Sequence, residues 1–186
     1  MCSCKQETST GSIIYDTSII REGDIILRRS YGLISDIIVM RLIDTVPISH
    51  CGIVVSDSIG SWHVIHSLSA KVSKIDGMQM CSLDEFLTDS QPGSVKISRF
   101  KHGNGNQIAT WANYYLARAT PFDYQFNHND SLAFYCSELP WHIFKHHYRS
   151  IPKTKNEILR FSVFLHPEYF EVFELNYLKN QETVLR

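Results

Sequence analysis

Phe134-Tyr135-Cys136-Ser137-Glu138-Leu139 delivers a cysteine, behind an aromatic pair, to what reads as the start of a helix. The polar loop Asn127-His128-Asn129-Asp130-Ser131 leads into it. A helix start offers unpaired backbone N–H groups and the positive end of the helix dipole, both of which favour a thiolate. With a histidine close by, a thiol pKa can fall from about 8.5 to roughly 3.5–7.5. The competing reading is a small buried apolar residue, the commoner fate of a free cysteine. The stretch alone does not choose between them.

Working outward, two segments supply histidines. Ile48 to Ser56 reads as the clearest strand, and side-chain alternation puts His50, Gly52 and Val54 on one face and Cys51, Ile53 and Val55 on the other. After the turn Asp57-Ser58-Ile59-Gly60, Trp62 to Ser67 reads as a second strand in which Trp62, Val64 and His66 share a face. A short connection predicts that the two pair antiparallel. His50 and His66 then come side by side if the register permits. A helix-start Cys136 facing them would complete a nucleophile, a base and a third group that fixes the base's tautomer. The backbone N–H of Cys136 would point at the oxyanion of a tetrahedral intermediate.

Elsewhere the pattern predicts a strand behind Gly23-Asp24, a short amphipathic helix over 33–42, and a third strand over 72–80 with an irregularity at Gly77. Ser82 and Glu85 form a capping-box pair opening a short helix, and 94–100 alternates as a strand. A helix over about 107–119 carries Ile108, Trp111, Ala112, Tyr115, Leu116 and Ala119 at helical spacing. Trp141 to Tyr148 reads as more helix, with His142, His146 and His147; the 142/146 spacing suits a metal pair, but a solvated face is preferred. These elements make an α+β protein, a polar tail over 1–18 followed by one domain over 19–186.

Composition narrows the functional classes. The 186 residues suffice for one full core; apolar content is 44%, charged content 20%, and 18 basic against 19 acidic residues leave a net charge of −1. No basic predominance points to nucleic acid or a broad membrane patch. No apolar run reaches the roughly 20 residues of a transmembrane helix, and the first residues lack the apolar region of a signal peptide. Cys2, directly after the initiator and followed by small and polar residues, suggests a lipid anchor of the bacterial lipoprotein kind; the other reading is a polar tail with two incidental cysteines. Five cysteines at irregular spacings form no disulfide framework and no C-x-x-C site.

Six motifs together resemble a known family: Gly23-Asp24-Ile25-Ile26-Leu27, Ser49-His50-Cys51-Gly52-Ile53-Val54, Val64-Ile65-His66-Ser67, Ser82-Leu83-Asp84-Glu85-Phe86, Pro121-Phe122-Asp123-Tyr124 and Phe134 to Leu139. Their order is similar to that of the circularly permuted papain-like enzymes of the NlpC superfamily, YaeF/YiiX group, over roughly residues 20–148. The resemblance implies a permuted papain-like fold in which an antiparallel sheet packs on helices. It implies Cys136 as nucleophile, His50 as base and His66 in the third position, where that group typically has glutamate. A histidine there resembles the lecithin:retinol acyltransferase-like branch. Tyr135 either lines the substrate cleft or packs, with the cleft preferred. Pro140 departs from the family pattern and places a bend beside the nucleophile.

The expected activity is a cysteine peptidase or amidase acting on a cell-wall peptide or related small amide through a Cys136 thioester, in the bacterial cell envelope. A lipid-ester acyltransferase or lipase is the alternative, with 33–42 lining an acyl groove. A zinc-binding module of His50, His66 and Cys136 is a third reading, although nothing in the spacing demands a metal, and no cofactor is expected.

Overall fold

The computed structural model describes residues 14–127, 129–148 and 158–178. Cys2, the expected lipid anchor, and Cys4 lie outside the described residues.

Six strands form one antiparallel sheet: β2 (Ile25–Arg28), β3 (His50–Ser56), β4 (Trp62–Leu68), β5 (Gly77–Ser82), β6 (Lys96–Phe100) and β7 (Phe170–Glu174). Their spatial order is β5-β4-β3-β2-β6-β7. A separate two-stranded ladder pairs β1 (Ile14–Tyr15) with β8 (Tyr177–Leu178). It lies partly within the stretch expected to be a polar tail, and Tyr15 is buried. The helices are α1 (Leu33–Leu42), α2 (Leu83–Thr88), α3 (Gly105–Ala117) and α4 (Glu138–Ile143). A π-helical turn, Phe144–Tyr148, continues α4.

Strand alternation sorts the core into two layers. Ile25, Leu27, Cys51, Ile53, Val55 and Ile65 pack with α3, α4 and Phe134. Ile26, Val54, Val64 and Ile97 point the other way and pack with Leu83, Phe86 and Leu87 of α2. The capping box predicted at Ser82 and Glu85 is present in full.

Gly77 begins a strand rather than interrupting one. Its φ is +95°, and a Cβ there would stand 2.4 Å from the Thr120 carbonyl oxygen, so only glycine lets the strand start this close to the end of α3. The expected strand over 72–80 is accordingly displaced to Gly77–Ser82.

Helix α1 occupies the predicted residues but does not bury an apolar stripe. Its one buried residue is Ser35, whose hydroxyl donates to Ser49 Oγ at 2.7 Å, while Arg29 Nη2 donates to Asp36 at 2.7 Å. Leu33 and Met40 are 75% and 71% exposed. Polar contacts hold α1 at the head of β3; Ile38 and Leu42 pack partly buried against the core, while Leu33, Ile34, Ile37 and Met40 are exposed.

Candidate active site

The antiparallel register of β3 and β4 pairs Val54 with Val64 and Ile53 with Ile65. Continued toward the start of β3, it sets Gly52 opposite His66 and makes His50 the diagonal neighbour of His66. Aromatic side chains span such diagonals. His50 Nε2 lies 2.7 Å from His66 Nδ1. Gly52 makes room for this approach: a Cβ there would stand 2.5 Å from Val64 Cγ1 and 3.1 Å from His66 Cβ.

Both rings are buried against Phe86, with centroids 5.7 and 5.8 Å from it. Arg28 pairs with His50 across β2 and β3. Its guanidinium sits 4.1 Å over the Phe86 ring, pairs with Asp89 at 2.7 Å and donates to the Phe86 carbonyl oxygen. Burial, then the neighbouring His66, then Arg28 hold His50 well below the ordinary histidine range. Burial and Arg28 push His66 down to about 4. The pair is therefore neutral at physiological pH, with one shared proton between the rings. If His50 donates that proton from Nε2, its Nδ1 lone pair is free to act as a base. His50 lines a cavity of about 240 Å³ together with Arg28, Tyr31, Ile34, Ile38 and Val72.

Cys136 sits in the turn immediately before α4, with Ser137 as N-cap. Glu138 closes this turn from both sides: its N–H donates to the Tyr135 carbonyl at 3.0 Å, and its Oε2 accepts the Tyr135 N–H at 3.2 Å. Burial pushes the Glu138 carboxyl up to about 8, with the Asp123 and Asp130 charges adding to the effect. A neutral carboxyl two residues away does not repel a Cys136 thiolate.

Pro140, four residues on, has no N–H to give the Cys136 carbonyl. That carbonyl instead accepts the Cys51 thiol at 3.3 Å. The Cys51 thiol also favours negative charge on the Cys136 sulfur. This contact, outweighing burial and helped by the Ser137 N–H, lowers the Cys136 pKa. Burial, followed by the same thiol contact, raises that of Cys51 well above the ordinary thiol range. Of the two, Cys136 ionises more readily and Cys51 holds its proton.

The structure thus joins His50 to His66 and joins Cys136 to Cys51. Among the described hydrogen bonds none links Cys136 to His50. The histidines lie on the α2 face of the sheet, while Cys51 belongs to the layer packed on α3 and α4. Tyr135 is 3% exposed and its hydroxyl accepts the Leu159 N–H at 3.1 Å, so its ring is packing and does not line an open cleft. His142 is not on a solvated face; it is buried against Tyr115 and Phe134.

Known proteins share this architecture. The model of the permuted papain-like amidases, YaeF/YiiX, C92 family, matches residues 19–185. The chain belongs to that family. Among solved structures it is similar to metalloprotein YiiX from Escherichia coli O157:H7, with a TM-score of 0.55, 21% identity, and coverage of 70% of this chain and 67% of that one. No match to a curated protein was found. Family membership makes the chain an amidase-type hydrolase of permuted papain-like fold. Among the described residues no group of three or more His, Cys, Asp or Glu side chains is placed to hold an ion. His50, His66 and Cys136, the zinc-binding set weighed above, do not form such a group.

Arg28 and Cys51 are the site residues that sequence reasoning missed. Arg28 had a usable signal, since a charged residue ending an apolar strand run invites the question of its partner. Cys51 reads from the sequence as core, and it is buried, but its contact with Cys136 depends on how α4 docks.

The low pKa of His50 predicts the pH profile. A depressed pKa keeps the base form present on acidification, so the acid limb of kcat/KM should fall well below pH 6.5. In Arg28→Met a like charge is removed, and the limb should move up by about one pH unit, the lower end for a neighbouring charge. An unchanged limb in a variant with native circular dichroism would mean that Arg28 does not act on the base.

Proposed function

We propose that the chain is a cysteine amidase in which Cys136 attacks the carbonyl of an amide, His50 is the proton acceptor and donor, and His66 holds the His50 tautomer. The 2.7 Å His50–His66 bond beside a cavity is the observation that carries this reading. In the unliganded structure Cys136 rests on Cys51, across the sheet from the His50 ring, so the reaction requires the Cys136 turn and the start of β3 to draw together on substrate; catalytic contacts in unliganded enzymes are often open and tighten on substrate. Attack passes the Cys136 thiol proton to His50 Nδ1, breaks the carbonyl π bond and forms the S–C bond. Collapse of the tetrahedral intermediate expels the amine, which takes a proton from His50, and leaves a thioester. Water, losing its proton to His50, then releases the acid and regenerates Cys136.

A cell-wall peptide or related small amide is the proposed substrate class. A second reading, an amide or ester of a fatty acid, is favoured by one feature. Tyr31, Ile34, Ile38, Leu68 and Val72 give the His50 cavity an apolar wall.

Incubation with muropeptides and with N-acyl and O-acyl lipids, followed by rapid acid quench and mass spectrometry, tests both. The expected result is an acyl adduct on Cys136 that is absent in Cys136→Ala, its mass naming the substrate class. Turnover without any Cys136 adduct, and unimpaired in Cys136→Ala, would overturn the proposal.

A further inference from the structure

We infer that Cys136 and Cys51 form a peroxide-responsive pair, a reversible modification site in which Cys51 acts as the resolving thiol. Cys51 Sγ lies 3.3 Å from the Cys136 carbonyl oxygen, which brings the two cysteines together at the junction of β3 and the Cys136 turn. Resolving a sulfenic acid needs a second thiol already within reach, and Cys51 is held there by the carbonyl that Pro140 leaves unpaired. The two positions also differ in the required sense. Cys136 is partly exposed, open to a small oxidant, whereas Cys51 is fully buried and shielded from one. Oxidation therefore starts at Cys136.

The chemistry balances with hydrogen peroxide as oxidant. The Cys136 thiolate attacks one peroxide oxygen, an S–O bond forms as the O–O bond breaks, and hydroxide leaves; sulfur is oxidised and peroxide reduced. The Cys51 sulfur then attacks Cys136 Sγ, the S–O bond breaks, and the hydroxyl departs with the Cys51 proton as water. The product is a Cys51–Cys136 disulfide, in which Cys136 is protected from the irreversible sulfinic and sulfonic acids. If the amidase reading holds, the disulfide also switches the enzyme off, and reduction restores it.

The test uses the intact protein and does not depend on activity. It is treated with a few equivalents of hydrogen peroxide, free thiols are blocked with iodoacetamide, and tryptic peptides are mapped. Cys51 falls in peptide 42–71 and Cys136 in peptide 119–145, apart from the other three cysteines. The expected result is a joined 42–71/119–145 species, a loss of Cys136 alkylation of at least about tenfold, and recovery of both with dithiothreitol. In Cys51→Ser, the same treatment should carry Cys136 on to sulfinic acid, which dithiothreitol does not reverse. Accumulation of sulfinic acid on Cys136 of the unsubstituted protein, with no joined peptide, would overturn the inference. So would two thiols that both remain alkylatable. The unsubstituted protein distinguishes these outcomes by itself, even where Cys51→Ser folds poorly.

Discussion

Replacing His50 by alanine is expected to slow amide cleavage by about 10²–10⁴-fold, the usual worth of a positioned acid–base group, while leaving Cys136 alkylation at neutral pH within a few fold of the parent. The two readouts separate because different groups serve them. The thiolate is stabilised first by the Cys51 thiol and then by the Ser137 N–H, both of which remain in the variant. His50 is needed when the thiol turns toward the substrate and when the leaving amine takes its proton. Cys51→Ala should behave in the opposite way, with low-pH alkylation falling because the stabilising donor is gone. Parallel kinetic and iodoacetamide measurements across about pH 5–9 separate the two roles. Full turnover in His50→Ala would remove it as the base, and loss of alkylation together with turnover would assign the thiolate to His50 instead of Cys51.

Asp24→Ala is expected to lower folding stability by about 3–5 kcal/mol, as breaking a buried ion pair does when one partner is left behind. Asp24 is 1% exposed. Its two oxygens accept Arg99 Nε and Nη2, both at 2.8 Å, and Oδ2 also accepts the Arg21 N–H at 2.9 Å. The carboxylate thereby ties the turn before β2 to β6, the other neighbour of β2 in the sheet. Removing it leaves a half-buried guanidinium whose remaining bond is to the Ile19 carbonyl. Asp24→Asn keeps the turn bond but loses the charge and should fall between parent and alanine. Urea midpoints at constant slope measure this, and a loss below about 1 kcal/mol would mean that the pair is no more than a surface bridge.

Much of the frame was legible because it rests on local rules. Alternation placed His50 and His66 on one face, the short turn made β3 and β4 antiparallel, and Ser82 with Glu85 announced α2. Family order then supplied Cys136. What the sequence hid depends on docking. The apolar positions of α1 look like a stripe seeking a core, yet Ser35 and Asp36 anchor the helix and leave Leu33, Ile34, Ile37 and Met40 exposed, with Ile38 and Leu42 packed partly buried against the core. His142 reads as polar, but it lies in the layer between α3 and α4 beside Tyr115 and Phe134. The ring of Tyr135 goes inward because its hydroxyl finds the Leu159 N–H, a partner 24 residues away that no local pattern announces. The C-terminal aromatics gave no sign of their role; Phe170–Glu174 proves to be an edge strand on β6, with Phe170 packed edge-on or tilted among Phe100, Phe144 and Phe164.

The β1–β8 ladder bears on how a permuted chain order arises. Ile14 lies opposite Leu178 and Tyr15 opposite Tyr177, so the described polypeptide is nearly a closed loop. Neighbouring ends can be spliced and the backbone reopened elsewhere at little cost, provided the new break falls in exposed connecting residues. Residues 101–104, between β6 and α3, are such a place. Cutting there would put Cys136 ahead of His50 in the chain, the order of ordinary papain-like enzymes, without moving a strand or a helix. Which of the two comes first is then set by where the loop is opened, and the chemistry is indifferent to it.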